Sequence, residues 1–423
     1  MMFEETLATE KENLTPANHL RPLSTGAVIA LIFSMLLVGA SFGAVAPLVS
    51  AILENRGFSE YFTGGVTAIL ALGIAVSSSY VGRLVERYGT RRINTLGILG
   101  QAVGFVGLGL ALATKEILLF PVRFELGVAA TMTFVAAEVA LLRGVPEKIR
   151  GRVMAAYGSS LGVGFMFGVF ASDVAYERLG LWCFGLVAAI GAGIAFIANH
   201  GLRSRVGDSL PQTQIHSTIS PSANDTKIDW RPLWIVLYGA VVFGSLDTAI
   251  SGTYPVEGQR LGLSRSEALN IVGFMALGLV VSQPRCGWLA DKFGSRLVLG
   301  FLATLGVAVS LAAGFAARLI PAGNTIRAAV TFAGIGAAVG GGYPISLKIM
   351  GDRTPSVKLP IVNARFSGVY GLASLIGPLL AAFGIDVMEN LGYLGWAVPG
   401  LAGLTLAMLL PLVMWDRKFT LKK

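Results

Sequence analysis

Apolar residues in this chain fall into twelve long runs that are separated by short polar turns. Each run approaches or exceeds the ~20 residues that a helix needs to cross ~30 Å of hydrocarbon. A helix satisfies its own backbone hydrogen bonds inside a bilayer, so we predict an all-α integral membrane protein with twelve transmembrane helices. In chain order the predicted spans cover residues 26–53, 61–81, 93–113, 117–142, 153–175, 181–199, 233–257, 267–286, 297–317, 325–347, 362–385 and 395–415.

One long polar segment divides the spans into two sets of six. It covers residues 200–232, is rich in Ser, Thr, Pro and Asn, and has no apolar periodicity, which indicates a flexible linker. The predicted organisation is a tail, a six-helix bundle, the linker, a second six-helix bundle and a second tail, at residues 1–25, 26–199, 200–232, 233–415 and 416–423.

The composition agrees with a membrane protein. Charged residues are 13% of the chain and the mean hydropathy is +0.70, whereas soluble domains contain about 25% charged residues. The net charge of +9 at first suggests a nucleic-acid partner. The Lys and Arg residues lie in short turns instead of one patch, so we expect a lipid bilayer and no nucleic acid as partner.

Basic residues also predict the orientation. If the N-terminus is cytoplasmic, the even-numbered turns, the linker and the C-terminal tail hold most of the Lys and Arg. The other side then has a short set: Arg56, Lys115, Arg178, Arg260, Arg265, Arg318 and Arg327. Because cytoplasmic loops carry an excess of basic residues, we predict that both termini are cytoplasmic.

The turn after the second span repeats in the turn after the eighth. Residues 82–91 read GRLVERYGTR and residues 287–296 read GWLADKFGSR. The similarity extends upstream, where residues 71–77 (ALGIAVS) match residues 276–282 (ALGLVVS). Two halves with the same helix–turn–helix in the same place indicate an internal duplication.

The pattern G-x-x-x-D-[RK]-x-G-x-[RK] between a second and a third membrane helix resembles the loop motif of the major facilitator superfamily. The first copy departs from it, because Glu86 stands where the acid is usually Asp. The resemblance implies two pseudo-symmetric six-helix bundles around a central cavity lined by spans 1, 4, 7 and 10. It further implies a monomeric transporter of a small solute that works by alternating access, and it names no cargo.

The same resemblance gives the two turns a role as a cytoplasmic gate. Glu86 would contact the start of the eleventh span and Asp291 the start of the fifth, where helix dipoles favour an anion. The alternative is that the turns only fix orientation through their basic residues. The gate residues are Gly82, Glu86, Arg87, Gly89 and Arg91 in the first turn, and Gly287, Asp291, Lys292, Gly294 and Arg296 in the second.

Two charged residues lie in the outer part of the fourth span. Arg123, four residues before Gly127, resembles a second family signature, R-x-x-x-G. Ionisable groups at membrane depth indicate function, so we place Arg123 and Glu125 on the substrate or proton pathway. They lie about 200° apart around a helix, so only one can face the cavity, and Arg123 is favoured. The alternative for Arg123 is snorkelling to the outer interface.

Three further charged residues complete the candidate set. Arg327 of the tenth span is the counterpart of Arg123, and this pair of arginines favours an anionic solute. Glu138 is predicted to form a structural ion pair with Arg87 or Arg91.

Asp247 is the acid nearest to the middle of a span, and Ser251 and Tyr254 extend a polar stripe from it along one helix face. A carboxylate facing the cavity can carry a proton or bind a cation, and the alternative is that Arg327 neutralises it. Glu257, near the outer end of the same span, is expected to be solvated.

Other chemistry is disfavoured. The chain has no phosphate-binding loop, and no His pairs with a Cys or carboxylate at metal-ligand spacing. We therefore expect no enzyme, no cofactor and no fixed metal site. Glycine spacings such as Gly158-x-x-x-Gly162, Gly164-x-x-x-Gly168 and Gly336-x-x-x-Gly340 predict close helix packing.

The sequence thus predicts a secondary active transporter of the bacterial inner membrane that is coupled to protons through Asp247 and Glu125. Alternatives are an uncoupled facilitator, an exporter of amphiphiles, a transporter of a metal or metal chelate, and a receptor or scaffold that transports nothing. The fifth span has Gly168-Val169 where drug/proton antiporters of the superfamily carry a Gly-Pro pair, and this disfavours drug antiport.

Overall fold

A computed structural model of the protein describes residues 23–145, 147–201, 229–316, 324–354 and 359–420. These residues form twelve α-helices and, within those ranges, no strand. In chain order they are α1 Thr25–Asn55, α2 Glu60–Tyr88, α3 Thr90–Ala113, α4 Leu119–Gly144, α5 Glu147–Leu179, α6 Trp182–Gly201, α7 Trp234–Arg260, α8 Arg265–Phe293, α9 Ser295–Ala316, α10 Thr325–Arg353, α11 Leu359–Asn390 and α12 Ala397–Thr420.

The predicted fold class is confirmed. Each predicted span lies on one of the helices α1–α12. Eleven of the described helices are long and apolar enough to cross a membrane, and the apolar part of α6 covers Trp182–Ile194. The predicted tails and linker lie mostly at residues 1–22, 202–228 and 421–423, outside the described ranges.

The duplicated turns have the same backbone conformation. A single glycine separates α2 from α3 and α8 from α9: Gly89 has φ 82° and Gly294 has φ 89°. Each glycine N–H donates to the carbonyl four residues before it, at 2.9 Å and 3.0 Å. A side chain disfavours this left-handed backbone, so a motif glycine is required at both positions.

Helix pairing repeats between the two bundles. In the first, α1 packs on α5, α4 packs on α2 and α3, and α6 packs on α1 and α3. In the second, α7 packs on α11, α10 on α8 and α9, and α12 on α7 and α9. Between the bundles, α2 packs on α11 and α5 packs on α8. Adding six to each helix number converts one set of pairs into the other, which is the pseudo-twofold arrangement of an internal repeat.

Glycines bring α1 and α5 into backbone contact. A Cβ added to Gly43 would lie 2.0 Å from the carbonyl oxygen of Phe165, and one added to Gly168 would lie 2.0 Å from that of Ala40. The counterpart pair α7 and α11 repeats this contact at Gly377, where a Cβ would lie 2.3 Å from the carbonyl oxygen of Ser245. Small residues allow such close approach, and this packing matters in a bilayer because the hydrophobic effect does not drive one helix against another there. The predicted glycine packing is formed here.

The two bundles are joined by charged residues at one end. We call this end, which carries the α1–α2 and α7–α8 turns, the distal side. Arg260 at the end of α7 bonds through Nε to Glu54 at 3.0 Å and through Nη2 to Glu60 at 2.7 Å, both in the first bundle. Its Nη1 bonds to Glu389 of α11 at 2.7 Å. One guanidinium thus ties the ends of α1, α2, α7 and α11 together.

A second arginine repeats this connection on the other pair of helices. Arg265 at the start of α8 bonds to Asp173 of α5 at 2.5 Å, and its guanidinium carbon lies 4.5 Å from the ring centre of Tyr176. Asp173 is 4% exposed, so water screens this ion pair less than a surface pair. The distal side is therefore closed.

The opposite end, which carries the two motif turns and which we call the motif side, is more open between the bundles. A Cβ on Gly162 of α5 would lie 3.2 Å from Val280 of α8, but one turn closer to the motif side Gly158 has no neighbour within 4 Å. In α11, Gly371 meets Ala75 at 3.5 Å, whereas Gly368 has no neighbour. The close packing predicted at Gly158 is thus not formed, because the helices diverge there. The central space opens towards the motif side.

The contact of α1 with α5 gives a first prediction. Gly43→Ala places a methyl group against backbone, so we expect it to destabilise the protein by about 1–3 kcal/mol. Gly26→Ala is the matched control in the same helix, because a Cβ there meets nothing within 4 Å and alanine favours helix. Thermal unfolding of the purified proteins checks this. Equal midpoints for the two variants would contradict the packing.

The distal ion pairs give a second prediction. Arg260→Gln removes the charge that three carboxylates share, and hydrogen bonds to charged groups contribute about 1.5–3 kcal/mol. We expect the equilibrium between the closed and the open distal side to shift towards the open state by roughly tenfold or more. The reporter is the substitution Thr67→Cys, made in a protein whose two native cysteines are replaced by serine. Thr67 packs on Gly252 of α7, so it lies at the contact between the bundles. Labelling from the distal side with a membrane-impermeant maleimide should rise.

The control for this experiment is Arg56→Gln. Arg56 pairs with Glu116 at 2.7 Å, and both residues belong to the first bundle, so labelling of the reporter should not change. Unaltered labelling in Arg260→Gln would show that this cluster does not hold the bundles together.

Candidate functional site

Asp247 lies at the centre of α7, a helix that packs on α11 in its own bundle and on α1 and α2 of the other. Its side chain is half-buried, and it interacts electrostatically with Tyr370 of α11. Across the part of the chain that the structure describes, its carboxylate has no cation within ion-pair distance and no hydrogen-bond donor. The sequence-based expectation of a mid-membrane acid at this position agrees with this geometry.

Aromatic rings from three helices surround this region. Phe243 of α7 lies 4.6 Å from Tyr343 of α10 and 5.9 Å from Tyr370 of α11, measured between ring centroids. Tyr343 lies 6.4 Å from Tyr370 and 5.6 Å from Phe366. Phe243, Tyr343 and Tyr370 are half-buried.

The first bundle contributes a second acid and a tyrosine. Glu138 of α4 interacts electrostatically with Tyr157 of α5 and with Tyr343 of α10. Tyr157 is 5% exposed, and its hydroxyl has no hydrogen-bond partner among the described residues. Asp247, Glu138, Tyr157, Tyr343, Tyr370 and Phe243 therefore form one group that crosses the junction of the bundles, and we call it the central cluster.

Within the described ranges, the ion pair predicted for Glu138 with Arg87 or Arg91 is not formed. Arg87 instead lies over the ring of Tyr88, 5.3 Å from its centre, at an exposed position. Glu138 is directed towards α5 and α10, and no cation within the described ranges pairs with it. Among the described residues, the two carboxylates of the central cluster consequently have no counterion.

Arg123 is held inside the first bundle. It is 2% exposed, so it does not snorkel to the interface. Its Nη2 donates to the carbonyl of Ala46 in α1 at 3.2 Å, and its Nε has no partner among the described residues. This arginine connects α4 to α1.

Glu125 faces the opposite way, towards α3. Its Oε1 lies 3.1 Å from where a Cβ on Gly100 would be, and its Oε2 lies 2.5 Å from the same point on Gly104. The expectation that Arg123 and Glu125 point in different directions is met, because they are two positions apart on one helix. Glu125 occupies the α3–α4 contact and not the central cluster.

Arg327 and Glu257 belong to the distal end of the second bundle. Glu257 is fully buried, and its carboxylate accepts the backbone N–H groups of Gly395, Ala397 and Val398 at 3.1, 2.9 and 3.3 Å. These groups lie at the N-terminus of α12, where the helix dipole favours an anion. Arg327 interacts electrostatically with Glu257.

This arrangement corrects two expectations. Glu257 is not solvated but caps α12, because the chain that follows α11 brings three N–H donors to it. Arg327 does not neutralise Asp247, since it lies beside Glu257, which is ten residues or roughly 15 Å further along α7. Neither arginine of the predicted anion site reaches the central cluster.

The predicted gate is described only in part. The side chains of Glu86 and Asp291 lie outside the described part of the structure, as do most side chains at the start of α5. Their contacts therefore stay predictions. Lys292 lies over Trp288, 5.2 Å from the ring centre.

From the sequence, Tyr343 was one of several polar residues that could line a route or only pack between helices, and no role was assigned to Tyr157, Tyr370 or the distal arginines. Tyr157-Gly158 and Tyr370-Gly371 do occupy corresponding positions in the two halves, and this repeat was the available signal for the central cluster. Arg260 and Arg265 looked like ordinary loop residues, since their partners are between 92 and 206 positions away in the chain.

Comparisons with known proteins agree with this architecture. An uncharacterised MFS-type transporter, YfkF, of Bacillus subtilis (strain 168) is 24% identical over 391 residues, which cover 90% of this chain and 94% of the relative. An uncharacterised MFS-type transporter, YcaD, of Escherichia fergusonii is 27% identical over 364 residues, which cover 85% of this chain and 88% of the relative.

Solved structures show the same fold. A bacterial homologue of the human lysosomal transporter Spinster, inward-facing and unoccupied, superposes with a TM-score of 0.73 at 16% identity, covering 94% of this chain and 97% of that one. The nucleoside transporter NupG superposes with a TM-score of 0.68 at 12% identity, covering 92% of this chain and 99% of that one. At such identities the likeness concerns the fold alone.

The sequence model of the major facilitator superfamily matches residues 31–276 and 236–423. Together these matches include both copies of the motif turn and all six residues of the central cluster. The chain belongs to the major facilitator superfamily of membrane transporters.

Proposed function

We propose that this protein is a proton-coupled secondary transporter of a small solute and that Asp247 carries the proton. The observation that supports this most directly is the carboxylate of Asp247 at the centre of α7, which has no ion-pair or hydrogen-bond partner among the described residues. A charge at the bilayer centre costs about 2.5–3.5 kcal/mol on insertion scales, and intramembrane acids in transporters form proton relays. Binding of a proton removes that charge while the bundles exchange between states.

In the proposed cycle the two ends of the molecule close in turn. Arg260 and Arg265 close the distal side in the state observed here, and the space between the bundles opens towards the motif side. In the other state the distal ion pairs separate, and Glu86 and Asp291 latch the motif side against the starts of α11 and α5. Rocking of two bundles about a central site is the general mechanism of such repeats.

Orientation and setting follow from the distribution of charge. The motif side carries most of the basic residues, so we assign it to the cytoplasm together with both termini. The relatives described above are bacterial, which favours the bacterial inner membrane. We further propose that one chain suffices, because its own two bundles enclose the central cluster.

Proton coupling is assigned to Asp247 alone. Glu125 faces α3, away from the junction of the bundles, and Arg123 positions α4 against α1. A receptor or scaffold that transports nothing would need neither a closed distal side nor two carboxylates at the bundle junction that no described cation neutralises.

The test begins by identifying a ligand. A thermal-shift screen of the purified protein against sugars, organic anions, amphiphilic cations and metal chelates provides one, and the stabilising compound is then used with proteoliposomes. We expect a pH gradient to drive accumulation in the wild type. Asp247→Asn should abolish this accumulation and leave counterflow exchange intact, because exchange needs no net proton movement.

Asp352→Asn is the matched control, since Asp352 is an exposed carboxylate near the end of α10 and should leave accumulation unchanged. Normal accumulation by Asp247→Asn would remove the assignment. Uptake by the wild type that ignores the pH gradient would show an uncoupled facilitator.

A further inference from the structure

The geometry points to an organic cation with an apolar body as the solute that the central cluster binds. This inference rests on the proposed function only in taking the central cluster as the transport site. It concerns what binds there and not how transport is driven.

The first argument is charge. Asp247 of the second bundle and Glu138 of the first are both partly buried, and neither has a cation partner in the described ranges. The two arginines that could have neutralised them are engaged elsewhere, Arg123 with Ala46 and Arg327 with Glu257. Two anions in a low-dielectric region favour a positive ligand and disfavour a negative one.

The second argument is the aromatic surface. Phe243, Tyr343 and Tyr370 pack against one another at centroid distances between 4.6 and 6.4 Å and lie between the two acids. The face of an aromatic ring attracts a cation that lies within about 6 Å of its centre. An inorganic ion would leave these apolar faces without contact, so the rings favour an organic cation.

The third argument is the hydroxyl of Tyr157. It is buried, has no hydrogen-bond partner in the described part of the chain and interacts electrostatically with Glu138 and Tyr343. A buried hydroxyl left without a partner is unfavourable. The N–H of a protonated amine would supply that partner while its charge meets Glu138.

The cluster is also positioned to exchange its ligand. Its residues come from α4 and α5 of one bundle and α7, α10 and α11 of the other, so rocking of the bundles separates or joins the two acids. A proton and a cation would compete for Asp247, since the carboxylate cannot hold both charges at once. Such competition favours a mechanism in which the protein exchanges a proton for the cation.

Equilibrium binding to the purified full-length protein in detergent tests this without any gradient. Tetraphenylphosphonium and tetraphenylborate are probes of matched size and shape with opposite charge. We expect saturable, one-site binding of tetraphenylphosphonium and none of tetraphenylborate. Asp247→Asn and Glu138→Gln should each weaken binding of the cation about tenfold or more, and Phe243→Leu about threefold or more.

Asp352→Asn should bind the cation as the wild type does. A second pair of measurements isolates Tyr157: Tyr157→Phe should weaken binding of 4-phenylbutylammonium, which has N–H donors, by several-fold. The same variant should leave tetraphenylphosphonium, which has none, unaffected. Thermal unfolding midpoints near the wild-type value establish that the variants are folded.

Equal binding of the two tetraphenyl ions would overturn the inference, as would cation binding that neither acid variant weakens. Absence of cation binding together with Asp247-dependent, gradient-driven uptake of another solute would overturn it while leaving the proposed function intact. Cation binding by a protein whose uptake ignores the pH gradient would support the inference and refute the coupling.

Discussion

Hydrocarbon supplies neither hydrogen bonds nor counterions, so each polar group inside this protein depends on a partner within the protein. The charges that have partners hold the fold. Glu257 binds three N–H groups of α12, and Arg123 binds a carbonyl of α1. Arg260 and Arg265 join the bundles. Among the described residues Asp247, Glu138 and Glu125 have no such partner, and of these three Asp247 and Glu138 lie where the two bundles meet. The contrast separates charges that stabilise the structure from charges that remain available to a proton or a solute.

The duplication explains why closing one side can leave the other open. Counterpart helices make counterpart contacts, so α2 on α11 and α5 on α8 form two similar seams. Ion pairs and glycine contacts bring these seams together at the distal side, while Gly158 and Gly368 on the motif side have no close neighbours. Two equivalent seams allow the bundles to rock as rigid bodies, and the ion pairs bias that motion.

The central cluster also changes which solute is favoured. Two arginines in matching positions indicated an anion, and a valine after Gly168 argued against antiport of drugs. In the structure Arg123 and Arg327 lie away from the cluster, and the groups that remain there are two acids and several aromatic rings. Because side chains at the junction come from five helices, their combined charge is a property of the packing and not of any short motif.

The sequence by itself determined the twelve helices, the repeat and the two glycine turns, since hydrophobic length, local periodicity and a positive φ depend on residues close together in the chain. It also identified Asp247, because the depth of a residue in its own span can be counted. Only the tertiary structure decided that Glu257 caps α12, that Glu138 pairs with no described cation, that Arg260 closes the distal side, and that Tyr157 and Tyr343 meet. Those contacts join residues far apart in the chain, and which faces of two helices meet depends on the packing of all twelve.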